Sequence, residues 1–200
     1  MLSTALRLAD ERGIESLTMR KLAGELGVEA MSLYHYVAKK EELLEGIVGL
    51  VLQEIDAPAP GSDWKPALRQ LAISAHEALV RHPWACNFML STGRPERLQY
   101  MESLLGTLRN AGFSADLTHH AYHALDSHTV GFTLWAVSLQ VPDGDLADLA
   151  ATFLRKLPAE YPFVAEHVEQ HLTATGDESE FGFGLDLILD GLERMRDAAS

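Results

Sequence analysis

The sequence has little cysteine, no long apolar run and few basic residues. Its single cysteine, Cys86, excludes an internal disulfide and a thiolate metal cluster. The longest apolar stretches, at 43–52 and 131–139, are too short to cross a bilayer. The first residues, MLSTALRLADERG, lack the basic start and apolar centre of a signal peptide, so we expect a cytoplasmic protein with no membrane partner.

The scarcity of basic residues is uneven along the 200-residue chain. The formal net charge of −13 disfavours a general affinity for nucleic acid. Residues 16–40, however, carry four basic and two acidic side chains, whereas residues 56–200 carry ten basic and twenty acidic ones. A small, locally basic unit ahead of a large acidic body is compatible with a DNA reader joined to a domain that has another task.

Apolar residues recur at helical spacing, and no segment alternates as a strand would, so we predict an all-α fold. An N-terminal unit at 1–46 contains three helices, and a fourth, near 40–55, leads into a body at 47–200. Pro and Gly at 57–61 end that fourth helix. Further helices are predicted at 64–82, 96–111, 115–140, 144–156, 161–174 and 180–198.

Residues 13–44 match the plan of a helix-turn-helix unit. Thr18 is placed to cap the second helix, which ends at Gly27, where glycine permits a left-handed turn. A third, short helix is predicted at about 30–36. Three apolar side chains would hold it on the first two helices: Val28, Leu33 and Val37.

The outer face of this third helix has no acidic side chain and carries groups that can touch base edges: Ala30, Met31, Ser32, His35 and Tyr36. Thr18 and Lys40 lie in the first turns of the second and fourth helices, where unpaired backbone N–H groups can help hold a phosphate. Spacing alone leaves open a second interpretation, in which 13–44 is simply three packed helices of a bundle.

The stretch LTMRKLAGELGVEAMSLYHYVAKKEELL resembles the DNA-binding domain of the tetracycline-repressor (TetR) family of bacterial regulators. The match extends over about residues 2–50. The resemblance implies that Thr18 and Lys40 contact phosphates and that Arg20 lies at the edge of the groove. It further implies that four side chains face bases and that two tyrosines line the backbone: Ala30, Met31, Ser32 and His35, with Tyr34 and Tyr36.

The body also resembles the tetracycline-repressor branch of this family, at DW 63–64, RHPW 81–84, RP 94–95, AGFS 111–114 and FGFGLDLILDGLERM 181–195. The resemblance implies an effector-binding and dimerisation domain, with the helices at 115–140 and 180–198 in the dimer bundle. An apolar stripe on the last helix is the predicted interface: Leu185, Ile188, Leu189 and Leu192. The alternative is an ordinary buried helix of a monomer.

Tetracycline is not the expected effector. Leu71 and Ala75 stand where tetracycline-binding members present an amide and an aromatic ring, and Met89 or Leu90 stands where they carry a histidine for the drug-bound magnesium. An apolar or aromatic effector suits the predicted pocket better. Resemblance and helical phase give its lining: Leu71, Ala75, Met89, Leu104 and Leu108.

A polar stripe on the helix at 115–140 leaves a second function open. His119, Tyr122, His123 and Asp126 share one helical face, and we expect them to line the pocket or to face solvent. The spacing of His119, His123 and Asp126 also suits a metal ion, which would indicate a helical metal- or cofactor-binding enzyme. The chain has no GxSxG or HExxH motif, and we expect no enzymatic activity, cofactor or metal.

The sequence therefore predicts a bacterial, ligand-responsive transcriptional regulator. As a homodimer it would repress transcription by binding a palindromic operator in double-stranded DNA, and a small-molecule effector would release it. Activation is the alternative within this class.

Overall fold

A computed structural model describes residues 1–59, 61–89, 95–138, 146–173 and 179–199, and these residues form helices without a strand. The helices are α1 (Leu2–Arg12), α2 (Met19–Leu26), α3 (Ala30–Leu33), α4 (Lys40–Gln53), α5 (Trp64–Arg81), α6 (Cys86–Met89), α7 (Pro95–Asn110), α8 (Ala115–Ser138), α9 (Leu146–Lys156), α10 (Pro162–Thr173) and α11 (Glu180–Ala198). Short 3₁₀ turns at Ile14–Ser16 and Pro83–Ala85 complete the order. The all-α prediction is confirmed.

Helices α1 to α3 form the N-terminal unit around a small apolar core. The Thr18 side chain accepts a hydrogen bond from the Lys21 backbone N–H at 3.2 Å, which confirms the predicted cap of α2. Gly27 ends α2 with φ of 67°, a left-handed conformation that costs other residues energy. Arg7 and Arg12 of α1 both pair with Glu25 of α2, at 2.9 and 3.1 Å, and so connect the two helices across their exposed edge.

Helix α4 belongs to both parts of the molecule. It packs against α1 on one side and against α5 and α7 of the body on the other. Leu43 and Ile47 are fully buried, and Gly46 lies so close to α1 that a Cβ atom there would be 2.7 Å from the Leu2 side chain. The N-terminal unit is therefore held on the body by α4. Because α4 packs against both parts, a movement of this helix changes its contacts with both.

In the body, α5 and α8 pack together, with α7 and α11 against them. Ion pairs join α5 to α11, since Lys65 contacts Asp190 and Glu193, and Arg69 contacts Asp186 at 2.8 Å. Helices α9 and α10 pack mainly against each other. This α9–α10 hairpin exposes five large side chains: Leu149, Phe153, Tyr161, Phe163 and Val164.

The predicted boundaries of the longer helices agree with the structure to within about two residues. The fourth helix was predicted to about residue 55 and ends at Gln53. The 3₁₀ turn at Pro83–Ala85 and the short α6 were not predicted, because RHPWA contains no full helical repeat. The predicted turns at 93–95, 142–145 and 175–177 lie wholly or partly outside the described residues.

A stack of three rings connects α5, α8 and α11. The Phe181 ring lies between His76, at 4.2 Å between ring centres, and His128, at 4.9 Å. The His76 Nδ1 atom is 2.7 Å from the Thr133 hydroxyl. Burial lowers the pKa of His76, Glu77 raises it in part and the nearby His128 lowers it further.

We expect the stability of the fold to decrease as the pH falls below about 6.5. In that range the unfolded imidazole of His76 binds a proton that the folded one, with its lowered pKa, does not, so acid favours unfolding. Thermal melts between pH 7.5 and 5.5 should therefore show a smaller decrease for His76→Gln than for the unmodified chain. His119→Gln, at an exposed histidine of α8, is the control. If the melting temperature of His76→Gln decreases with pH as steeply as that of the unmodified chain, His76 is not the source of the pH dependence.

Candidate DNA-binding surface and effector site

The predicted recognition helix is shorter than expected. Its α-helical part ends at Leu33, and backbone hydrogen bonds from Tyr36 and Val37 to the Leu33 carbonyl, at 2.9 and 3.1 Å, continue it as turns. Leu33 and Val37 are buried, as predicted, and fix this segment on α2. Val28 was predicted to pack in the core, but it is 45% exposed, because it lies in the turn beyond Gly27.

The outer surface of this segment displays large side chains to solvent. Met31 is 73% exposed and Tyr36 is 77% exposed, while Tyr34, Ser32 and His35 are also exposed. Large apolar and aromatic side chains exposed close together in one short segment can mark an interaction site. Ala30 differs from the others: it is half-buried and packs against the core, because the first residue of α3 faces α2.

Thr18 and Lys40, predicted to contact phosphates, and Arg20, predicted at the groove edge, all lie at helix starts. Thr18 caps α2 and Arg20 is the second residue of that helix, and both are exposed. Lys40 is the first residue of α4 and is half-buried. The structure thus places hydroxyl, guanidinium and ammonium groups at two helix N-termini, where backbone N–H groups also attract anions.

A polar junction joins the N-terminal unit to the body. We call it the His82 junction, and it consists of four residues: Asp10 of α1, Glu54 after α4, and His82 and Trp84 after α5. The His82 ring bridges two carboxylates, with Nδ1 2.8 Å from Asp10 Oδ1 and Nε2 3.2 Å from Glu54 Oε1. The Trp84 indole N–H donates to the same Asp10 oxygen at 2.8 Å.

The Glu54 carboxylate in this junction is held in its charged form. Partial burial raises its pKa, but the hydrogen bond from Arg81 and the interaction with His82 outweigh burial, so the pKa of Glu54 lies below its ordinary value. Arg81 donates to Glu54 at 2.7 Å. The RHPW motif supported the resemblance, but the sequence did not predict this junction. His82 contacts Asp10, which lies more than seventy residues away in the chain, and no local sequence pattern indicates such a contact.

A cavity of about 310 Å³ lies between α4 and α7, with Leu71 of α5 at its edge. We call it the α4–α7 cavity. Its lining mixes apolar and polar side chains: Leu52, Gln53, Ile55, Ala57, Leu71, Glu96, Gln99, Tyr100 and Ser103. A second cavity, of about 440 Å³, lies between α7 and four residues that precede α5: Pro58, Ala59, Gly61 and Ser62. Among the predicted lining residues, Leu71 is the one that borders the α4–α7 cavity.

The other predicted pocket residues are packed in the core. Ala75, Met89, Leu104 and Leu108 are 0–2% exposed and border neither cavity. Their apolar side chains face neighbouring helices. Helical phase does not distinguish an apolar residue that lines a pocket from one that packs in the core, so the prediction chose core residues. Leu90, the alternative to Met89 in the comparison with tetracycline-binding members, lies outside the described residues.

The polar stripe on α8 is divided between two environments. His119 and His123 are exposed, with their rings edge to face at 4.7 Å. Tyr122 is buried and Asp126 is partly buried, and both contact Arg97 of α7. The stripe therefore does not face one pocket, and within the described residues no group of three or more His, Cys, Asp or Glu could hold a metal.

Arg97 was not predicted and is the most buried charged residue that the structure describes, at 3% exposure. Its Nη2 donates to Asp126 Oδ2 at 2.6 Å and to the Tyr122 hydroxyl at 2.9 Å. The guanidinium lies 5.0 Å from the centre of the Tyr100 ring. In the sequence, PERLQ has the composition of an exposed helix start, which gave no sign of this burial.

The dimer stripe predicted on α11 needs correction. Leu185, Leu189 and Leu192 are 0–6% exposed because they pack within one chain, and Ile188 is partly buried against the same core. Gly184 allows the close approach to α8, since a Cβ atom there would be 2.6 Å from His128. The exposed large apolar side chains of α11 lie on the neighbouring stripe: Phe183, Leu187 and Met195.

A helix-turn-helix unit with an exposed recognition segment, joined to a helical body that contains a cavity, defines a DNA-binding regulator with an effector domain. Two family models match the chain. Residues 1–47 match the bacterial regulatory proteins of the tetR family, and residues 57–196 match the tetracyclin repressor-like C-terminal domain. The chain therefore belongs to the TetR family of bacterial transcriptional regulators.

Individual relatives agree with this assignment. The chain is 32% identical to the HTH-type transcriptional repressor DrrR1 of Streptomyces coeruleorubidus, over 96% of this chain and 76% of that protein. It is also 32% identical to the class D tetracycline repressor protein of Escherichia coli, over 96% and 87%. The crystal structure of ActR from Streptomyces coelicolor with actinorhodin superposes with a TM-score of 0.76 at 27% identity, over 98% and 95%.

Within the described residues, no helix is both long enough and apolar enough to span a membrane.

We expect Tyr36→Ala to weaken operator binding about tenfold without lowering the melting temperature. Tyr36 is 77% exposed, so its removal costs the fold little, whereas a lost hydrogen bond from its hydroxyl to a charged phosphate costs roughly 1.5–3 kcal/mol. Fluorescence anisotropy with an operator duplex selected from random sequence measures the effect. Tyr161→Ala, an exposed tyrosine before α10, is the matched control. Equal affinities would remove Tyr36 from the DNA surface.

Proposed function

We propose that this chain is a repressor whose affinity for a palindromic operator is lowered when an effector occupies the α4–α7 cavity. The observation that carries the proposal is that one helix serves both sites. The first half of α4 packs against α1 of the DNA-binding unit, and the end of α4 lines the cavity through Leu52 and Gln53. An effector that fits between α4 and α7 therefore acts on α1, which packs against α4 and α2, and through α2 on the recognition segment.

Close packing makes α4 sensitive to a displacement of α7. Gly49 lies so near the start of α7 that a Cβ atom there would be 3.2 Å from Glu96 Oε1. Glu96 also lines the cavity. An effector that moves Glu96 must therefore move α4 or lose this contact, and the difference in affinity between the two arrangements sets the size of the response.

The His82 junction is proposed to transmit the same movement by a second route. It holds α1 and the end of α4 to the corner after α5, through hydrogen bonds of 2.8 to 3.2 Å. Because Asp10 accepts from both His82 and Trp84, α1 cannot turn relative to the body without breaking polar contacts at a largely buried histidine. Such contacts favour two discrete arrangements over a continuous range.

The effector is proposed to be an apolar or aromatic small molecule. The cavity volume of about 310 Å³ lies within the range of small-molecule sites, and its lining combines apolar walls with a few polar groups. The similarity to ActR, whose structure contains actinorhodin, supports an aromatic compound.

The boundary between the DNA-binding domain and the effector domain is proposed to lie between residues 46 and 47, within α4. The bacterial cytoplasm is proposed as the compartment of the protein, and no catalytic role is proposed.

The homodimer is proposed to form through the exposed stripe of α11 and the adjoining end of α8. Phe183, Leu187 and Met195 are each 58% exposed, and Trp135 of α8 is 46% exposed. A C₂ pair of such surfaces would bury apolar area on both copies and place two recognition segments for two half-sites.

Loss of the His82 junction should uncouple the two sites. In His82→Leu, we expect effector binding to the body to persist, while its effect on operator affinity decreases at least fivefold, because α1 is no longer held to the corner after α5. Anisotropy with and without a compound that releases the unmodified chain measures the ratio. Arg12→Gln, which breaks an exposed ion pair of the same unit, is the control; full release in His82→Leu would refute this route.

Leu187→Asp should convert the dimer to a monomer. The substitution places a charge in the proposed interface and leaves the buried stripe of α11 intact, so each chain should remain folded. Sedimentation equilibrium gives the mass. Leu98→Asp, at a leucine of α7 with 51% exposure, is the matched control. A dimer mass for Leu187→Asp would place the interface elsewhere.

A further inference from the structure

The contact between Arg97 and Asp126 is chemically incomplete. Among the residues that the structure describes, no hydrogen-bond partner lies near Nε or Nη1 of Arg97 or near Oδ1 of Asp126, and all three atoms are shielded from solvent. Buried polar atoms are nearly always paired, because an unpaired donor or acceptor costs free energy in a dry environment. We call this group, with Tyr122, the Arg97 site.

We propose that the Arg97 site binds a neutral phenolic hydroxyl of the effector, which accepts a hydrogen bond from Arg97 and donates one to Asp126. This proposal deepens the proposed function and rests on it, because it names the chemical group by which the effector is recognised. The phenol would supply one acceptor and one donor to a site that lacks both.

The charge of the site selects a neutral group over an anion. Asp126 Oδ2 lies 2.6 Å from Arg97 Nη2, so the pair is already neutral as a whole. A carboxylate ligand would satisfy the guanidinium but would repel Asp126 at close range in a medium of low polarity. A phenol satisfies both residues without adding charge.

The Tyr122 phenol already makes both kinds of hydrogen bond with the paired atoms of Arg97 and Asp126. Its hydroxyl accepts a hydrogen bond from Arg97 Nη2 at 2.9 Å and lies as a donor 3.4 Å from Asp126 Oδ2. Burial, followed by the charge of Asp126, raises the pKa of Tyr122, so this phenol stays protonated. Two unpaired donors on Arg97 and one unpaired acceptor on Asp126 remain for the hydroxyl of an effector.

The site adjoins the α4–α7 cavity through a single aromatic ring. Tyr100 lines the cavity, and its ring lies beneath the Arg97 guanidinium, 5.0 Å from it. Tyr100 is therefore the side chain that an effector in the cavity would displace to reach Arg97 and Asp126. An aromatic effector in the cavity would then place its hydroxyl on Arg97 and Asp126.

The test compares 2-naphthol with 2-methoxynaphthalene, which cannot donate, and with 2-naphthoate, which is charged. By isothermal titration calorimetry with the full chain, 2-naphthol should bind about tenfold or more tightly than either, as expected for hydrogen bonds to charged groups. Stronger binding of 2-naphthoate, or equal binding of 2-naphthol and its methyl ether, would overturn the proposal. Failure of 2-naphthol to bind at millimolar concentration would overturn it as well.

The matched variants remove the ion pair as a unit, so that no lone charge stays buried. In the double variant Arg97→Met, Asp126→Leu, the preference for 2-naphthol over its ether should disappear. The double variant Arg69→Met, Asp186→Leu, at the α5–α11 pair, should keep it. A preference that survives loss of Arg97 and Asp126 would overturn the proposal, and melting temperatures verify that both variants fold.

Calorimetry and operator binding separate this proposal from the proposed function. Pair-dependent binding of 2-naphthol that leaves operator affinity unchanged would support the Arg97 site and count against the role of the cavity in repression.

Discussion

The packing of α4 against both parts of the molecule is the constraint on which the other features depend. Leu43 and Ile47 are fully enclosed, Gly46 meets α1, and Gly49 meets the start of α7. Interiors packed at this density do not deform gradually, so a change on one side of α4 is taken up as a movement of the whole helix. The cavity is therefore connected to the recognition segment through α4, α1 and α2, which pack on one another in turn.

Polar contacts add direction to this apolar connection. The His82 junction fixes α1 to one corner of the body, and the α5–α11 ion pairs fix the last helix to the same core. These contacts involve partly exposed carboxylates, and each contributes less to stability than burial of the leucines does. Their importance is geometric, because they determine which relative positions of the two parts are permitted.

The sequence predicted the helices well because local signals mark their ends. Thr18 and Gly27 bound α2, and glycine or proline follows α1 and α4. It predicted the exposed side of α3 for the same reason: a helix of known phase leaves Met31 outside once Leu33 is inside. Tyr36 lies beyond the end of α3, so its exposure follows from the turns after Leu33 and not from helical phase. Ala30 and Val28 were misplaced, because the first residue of a short helix and a turn residue obey no helical phase.

The effector site and the dimer stripe were harder to predict from the sequence, because packing against helices distant in the chain determines which of their residues are exposed. Two stripes on α11 are apolar, and periodicity cannot say that Leu189 belongs to the core of one chain while Leu187 stays exposed. Likewise His119 and Asp126 share a helical face, but only the position of α7 brings Arg97 to Asp126. The cavity lining, with Gln53 and Glu96, arises from α4 and α7 together and follows from neither alone.

The ion pairs between α1 and α2 also affect how the chain meets DNA in salt solution. Arg7 and Arg12 direct their charge to Glu25, which leaves four other basic residues in the N-terminal unit: Arg20, Lys21, Lys39 and Lys40. Each phosphate neutralised releases roughly 0.9 counterion from the duplex. A unit with so few cations releases few counterions, so its affinity for DNA should depend less steeply on salt concentration than that of a strongly basic unit.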